Sequence, residues 1–102
     1  MKKVEQGDLL RVSGIKQPVM VVSNNFFCQS GKAIVCPVLP EAPEGPLHIL
    51  IQTEQLNGHV LCEQVRYLDL SARSFTKIGS ARYFDTMDIS DAVMGMFDYQ
   101  TG

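Results

Sequence analysis

The chain predicts a mainly β fold: a small closed barrel with one α-helix docked on it at the C-terminal end. Three observations carry this. Short apolar and β-branched runs follow one another closely from Leu9 to Gly79, each bounded by glycine, proline, asparagine or serine. A helical period emerges only from Asp85 on, where Ile89, Ala92, Val93, Met96 and Phe97 fall on one face. A length of 102 residues with 45% apolar content suits a single domain over 1–102 with one core.

The elements follow in order. Gly7 and Asp8 open the first run, LLRV, and Ser13–Gly14 breaks it. PVMVVS (18–23) is continuously apolar and β-branched, the pattern of a buried strand. Asn24–Asn25 and Ser30–Gly31 suit turns. AIVCPVL (33–39) is a third strand, in which Pro37 cannot donate to a ladder and so marks an edge or a bulge. PEAPEGP (40–46) is a loop, because three prolines and a glycine in seven residues forbid regular structure. LHILIQ (47–52) is a fourth strand, NGHVLCE joins an Asn-Gly turn to a fifth, and FTKIG (75–79) makes a short sixth. In the helix, Asp85 is the expected N-cap, and the aspartates of the first turns suit the helix dipole. Gly95 lowers its propensity by about 1 kcal/mol relative to alanine. Val93, Met96 and Phe97 are expected in the core.

Composition removes several classes of function. No apolar run approaches the roughly 18 residues of a membrane span. MKKVEQGD has no apolar stretch behind its lysines and does not read as a signal peptide, so a cytoplasmic protein is expected. Cys28, Cys36 and Cys62 are odd in number and lack CxxC spacing, while His48 and His59 lie eleven apart. Neither a disulfide framework nor a metal site is expected, and the cysteines read as small core residues. The net charge of −2 is unevenly placed: residues 1–84 carry nine basic and seven acidic side chains, and Asp85, Asp88, Asp91 and Asp98 follow. Strong non-specific nucleic-acid binding is not expected from this balance.

VLCEQVRYLDL (60–70) places Glu63, Arg66 and Asp69 inside an apolar stretch. Two readings stand. The three form a polar clasp on a helical turn at a strand end, or Glu63 faces a substrate as a general base. Ser23, Asn24 and Asn25 either line a groove or simply turn the chain. Phe26 and Phe27 either stack on bases or fill a core or dimer interface.

The order GDLLRV, QPVMVVSNNFF, IVCPVL, CEQVRYLDLSAR, then a helix, resembles the MazF/PemK family of toxin–antitoxin toxins over roughly Gly7 to Phe97. The resemblance implies an SH3-like barrel related to the gyrase poison CcdB, usually a homodimer. It implies an endoribonuclease that cuts single-stranded RNA at short sequences, with neither metal nor other cofactor. It also implies an antitoxin that wraps the dimer with an acidic segment, and operator DNA bound mainly through the antitoxin. Such chemistry needs a base for the 2′-hydroxyl, an acid for the leaving 5′-oxygen and charge stabilisation at the phosphorus oxygens. The family commonly supplies an arginine just before the second strand's proline and a threonine or serine at the end of the third strand. Here these positions hold Gln17 and Leu39. The catalytic set expected from the resemblance is therefore Glu63, with Lys16 and Gln17 at the phosphate. Ser23, Asn24, Arg73 and Lys77 are expected to contact RNA. The alternative is a degenerate member that keeps the barrel and binds nucleic acid or protein without cutting.

Overall fold

The computed structural model describes residues 3–97. Asp98 lies outside them. Among the described residues the element order is β1 (Asp8–Val12), β2 (Val19–Val21), α1 (Asn25–Cys28), β3 (Lys32–Leu39), β4 (His48–Gln52), β5 (Asn57–Leu61), β6 (Arg66–Asp69), β7 (Phe75–Ser80) and α2 (Tyr83–Gly95).

The strands form an antiparallel path β4-β5-β3-β2-β1-β7, with β6 also paired to β3. The sheet curls into a half-barrel, with β4 and β7 as the ends of the path. The expected mainly β barrel with a C-terminal helix is present, curled where full closure was expected. β3 organises it. On one flank it pairs β2, from Val19↔Pro37 to Val21↔Val35. On the other it pairs β6 along its first half, Lys32↔Asp69 to Val35↔Arg66, and β5 at its end, Val38↔Val60 and Leu39↔His59. Pro37 is thus in a central strand, against the expectation of an edge. It is tolerated because it falls between Val35 and Val38, where that flank changes partner from β6 to β5 and no ladder donor is needed.

Both faces of the central strands are buried, which is why their sequences are continuous apolar runs. One face packs Leu10, Val12, Val19, Val21, Val35 and Leu68 together. The other packs Leu9, Met20, Cys36, Val38, Val60 and Cys62 against Ile89 of α2. Ile89 is fully buried and anchors the helix, a contribution of about 2–3 kcal/mol. All three cysteines are buried and free.

Four local expectations are corrected. NNFFCQS contains helix α1, because the Asn24 side chain caps it by accepting from the Phe27 amide at 2.9 Å. Asn57 and Gly58 are strand residues, not the hairpin turn. The turn is Thr53–Leu56, where the Thr53 hydroxyl accepts from the Leu56 amide and donates to the Leu56 carbonyl, both at 2.9 Å. Gly58 is required by close packing: a Cβ there would lie 2.7 Å from the Leu39 carbonyl oxygen. Helix α2 starts at Tyr83 with Arg82 at the N-cap, so Asp85 is inside the first turn. Finally, only part of the predicted helix face is core. Ala92 and Val93 pack on the sheet, but Phe97 is 72% exposed, since the sheet contacts α2 along one narrow stripe.

Candidate active site

The β4–β5 hairpin sets the site. Its register pairs His48 with Leu61. The chain then turns at Cys62–Glu63, where the Cys62 amide donates to the Leu47 carbonyl at 2.8 Å. That turn folds Glu63 back over His48. His48 Nε2 lies 2.8 and 3.0 Å from the two Glu63 carboxylate oxygens, and its Nδ1 lies 2.6 Å from the Pro43 carbonyl. A carbonyl can only accept, so Nδ1 carries a proton; a carboxylate also accepts, so Nε2 carries the other. The pair is an imidazolium facing a carboxylate. The Pro43 carbonyl first, and Glu63 second, raise the His48 pKa above its ordinary value. Side-chain exposure is 19% for His48 and 34% for Glu63. His48 is thus committed at both nitrogens, while Glu63 keeps lone pairs open to a substrate.

Beside this pair lie two buried thiols. Burial, followed by the charges of Cys62 and Glu63, pushes Cys36 up to about 12. Burial and then Glu63 push Cys62 up to about 11.

Side chains of paired antiparallel residues share a face, and residues two apart on a strand share it too. His48 and Leu50 on β4, His59 and Leu61 on β5, and Pro37 and Leu39 on β3 therefore face one way. His59 sits directly opposite Leu39, and its Nδ1 is buried with no hydrogen-bond partner among the described residues. Lys16 and Gln17 lead into β2 on the other flank of β3, where the Pro18 carbonyl accepts from the Val38 amide at 2.8 Å. Lys16 is exposed, Gln17 is half-buried, and neither is in an ion pair among the described residues. Gln17, Leu39 and His59 thus lie near one end of β3, with Lys16 on its β2 flank and Glu63 beyond β5 on the other, and Lys16 and Glu63 form no ion pair.

The clasp expected of Glu63, Arg66 and Asp69 does not form. Residues 66–69 are a strand, not a helical turn. Glu63 pairs with His48, Asp69 lies 3.8 Å from Lys32, and Arg66 has no ion pair among the described residues.

The residues expected at RNA divide differently. The Ser23 hydroxyl accepts from the Ile34 amide at 3.0 Å and contacts Cys28, closing the sheet. Asn24 is the α1 cap. Lys77 binds the buried Asp8 at 3.1 Å. Arg73 lies toward the opposite end of β3, sharing a cavity with Gly31 and Lys32. Phe26 is 81% exposed, while Phe27 meets Tyr67 edge to face at 6.5 Å. His48 is the site residue that sequence reasoning missed. The alternation in HILIQ already sets it on the face away from Ile49 and Ile51, but its partner depends on hairpin register, which the Asn-Gly assignment misplaced.

The fold is similar to that of MazF in the MazE–MazF complex from Deinococcus radiodurans, with TM-score 0.85 at 19% identity over 95% of this chain and 98% of that one. It is also similar to an endoribonuclease from a mycobacterial species, with TM-score 0.82 at 16% identity over 95% and 93% of the two chains. A third likeness is to a mycobacterial endoribonuclease solved in complex with its cognate antitoxin, with TM-score 0.80 at 16% identity over 92% and 94%. No curated protein matches the chain by sequence. At these identities the structural likeness speaks for the fold. The sequence itself adds the rest: residues 11–97 match the family of PemK-like, MazF-like toxins of type II toxin–antitoxin systems, and the chain belongs to that family.

Proposed function

We propose that this toxin is an endoribonuclease that cuts single-stranded RNA without a metal, using Glu63 for proton transfer. The observation that carries the reading is the half-open Glu63 carboxylate held against an imidazolium. The imidazole fixes the direction of the carboxylate, which a general base requires. In the proposed step Glu63 takes the 2′-hydroxyl proton, the 2′-oxygen bonds to phosphorus, and the bond to the 5′-oxygen breaks. The products are a 2′,3′-cyclic phosphate and a 5′-hydroxyl.

In-line displacement needs its base and its acid on opposite sides of the phosphorus. Lys16, exposed and in no ion pair among the described residues, is the cation available as the acid. Lys16 protonates the leaving oxygen and neutralises charge on the phosphoryl group, with Gln17 as a hydrogen-bond donor. His48 acts through Glu63 and is a positioning residue. His59 offers a hydrogen-bonding group opposite Leu39, where relatives commonly carry a hydroxyl. An acidic antitoxin segment laid over this face would block it, and operator DNA is then bound through that complex. The exposed apolar side of α2, with Tyr83, Phe84 and Met87, supports a homodimer.

The test is to incubate the protein with long single-stranded RNA in EDTA and map the ends. Discrete cuts with cyclic phosphate ends, abolished by Glu63→Ala and strongly reduced by Lys16→Ala, are expected. Intact RNA with a folded protein favours the binding module, a reading that the apolar Leu39 side chain already supports.

A further inference from the structure

Toward the other end of β3, around Gly31 and Lys32, the molecule holds a cavity of about 650 Å³. Eight strand residues lie between Lys32 and Leu39 inclusive, so this cavity is on the order of 20 Å from the proposed active site. Its apolar wall comes from Val4, Leu70 and Phe75, and Lys3, Lys32 and Arg73 bring three cations to it. Among the described residues no carboxylate lines it, although acidic side chains outnumber basic ones eleven to nine in the chain.

The cations are lightly held. Lys32 has only long contacts, 3.8 Å to Asp69 and 3.5 Å to the Ser30 carbonyl. Arg73 donates once, at 3.4 Å, to the Ser13 carbonyl, leaving most of its guanidinium uncommitted. Lys3 is in no ion pair among the described residues. Asp69, the acid nearest to Lys32, is itself bound by the amide and hydroxyl of Ser71. Two amides also line the cavity. Asn25 uses its oxygen to accept from the Gln6 amide at 2.7 Å, which leaves its NH₂ to donate, and Gln29 has no side-chain hydrogen bond among the described residues.

We propose that this cavity binds a nucleotide. The phosphate is met by Lys3, Lys32 and Arg73, the last offering a planar fork suited to phosphate oxygens. The base lies along Phe75 and Leu70, with the amides of Asn25 and Gln29 at its edge, as such amides meet base edges elsewhere. The cavity is half open, and its volume falls in the range of small-molecule sites. The ligand is either a free nucleotide or the phosphorylated end of an RNA. The proposal does not depend on the nuclease reading.

Nuclear magnetic resonance and calorimetry on the full chain carrying Glu63→Ala separate the two, because binding is then read without cleavage. The probes are uridine and adenosine 5′-monophosphates, inorganic phosphate, and a 5′-phosphorylated, 2′-O-methylated tetranucleotide. Shifts confined to the amides of Gly31, Lys32, Ser71 and Ser74 are expected with the monophosphates. Arg73→Gln and Lys32→Gln should each raise Kd by about tenfold, the loss of one charge-assisted contact. Ser74→Glu, which adds a carboxylate at an exposed position, should do the same without touching the core. Tighter binding of the tetranucleotide assigns the RNA end, and equal affinity assigns the free nucleotide. Inorganic phosphate binding as tightly as the monophosphates overturns the proposal, as do shifts at His48 and Gln64 with none at the cavity. So does an acidic, leucine-rich peptide that shifts the cavity amides when no nucleotide does, which points to a protein partner.

Discussion

At the β1–β7 seam, the Asp8 side chain is 5% exposed and accepts from the Glu5 amide at 2.9 Å, the Lys77 ammonium at 3.1 Å and the Ser80 hydroxyl at 3.4 Å. At the β4–β5 seam, the Glu63 side chain is 34% exposed and meets a single partner, His48. Both carboxylates lie in ion pairs close to a sheet end, yet the first has its lone pairs occupied by the chain and the second does not. A buried carboxylate stays charged only when it is satisfied in this way, so Asp8 is a structural fixture that holds the entry of β1 to β7. A half-open carboxylate with one partner behind it is aimed and keeps lone pairs within reach of a substrate. The contrast separates a carboxylate with lone pairs still open from one whose lone pairs are occupied, and substitution can break it at either seam.

The largest effect is expected at Glu63. Glu63→Ala should lower the RNA cleavage rate by at least about a hundredfold, the low end for loss of a general base. The urea unfolding midpoint should hardly move, because partly exposed pairs contribute little stability. Asp8→Ala should do the reverse. It strips partners from the part-buried Glu5 amide and from Lys77, at about 1–2 kcal/mol, while cleavage per folded molecule is unchanged. Cleavage assays and urea titrations on both variants read the two axes together, and a matched loss on both axes for Glu63→Ala would assign it to the structural class with Asp8.

How much of this was legible beforehand follows from the range of the interactions involved. The strand runs around Leu9, Met20, Val35 and Ile51 were readable, because burial on both faces leaves a continuous apolar signature. The short β6 was hidden, since Arg66, Tyr67 and Asp69 lie on or near the surface and break the apolar pattern. Helix α1 was hidden by its four-residue length, too short for any period to show. At the site, Glu63 was singled out from its charge in an apolar stretch, but its partner His48 was not, because fifteen residues separate them and hairpin register alone joins them. Ser23, Asn24 and Lys77 looked available as single letters. Their hydrogen bonds and ion pair, to Ile34, Phe27 and Asp8, occupy them within the fold.

That register is itself open to attack through Gly58, which lies between the two seams in expected effect. Gly58→Ala brings a methyl group to 2.7 Å from the Leu39 carbonyl oxygen and 2.9 Å from Val38 Cγ1. Backbone cannot yield as a flexible side chain does, so a loss of about 1–2 kcal/mol is expected. Since Leu39 and His59 face each other at that point, cleavage should also fall, by about tenfold, from misplacement. Loss of stability alone, with full cleavage by the folded fraction, would show that the β3–β5 junction does not position the site.

The smallest effect expected is a pH dependence, and it tests the charge state on which the Glu63 assignment rests. His48 binds its proton more tightly when folded than its ordinary value of 6.5 implies, first through the Pro43 carbonyl and then through Glu63. A raised folded pKa means that the folded state holds the proton the unfolded state releases. The stabilisation is therefore complete below the ordinary value and disappears as pH rises through the raised one. Asp69 runs the other way: the Ser71 hydroxyl chiefly holds it below its ordinary value of 3.8, so its contribution is complete above that value and is lost as pH falls through the lower one. The two limbs do not overlap. Urea midpoints measured across pH for the parent and His48→Gln should differ most in mildly acidic solution and converge toward alkaline pH, while the gap between the parent and Asp69→Asn is constant above 3.8 and closes as pH falls below it. A parent–variant gap that widens as pH rises would mean that His48 is neutral beside Glu63. The carboxylate would then lack the cation that orients it, and the proposed proton-transfer role would have to move elsewhere on the same face.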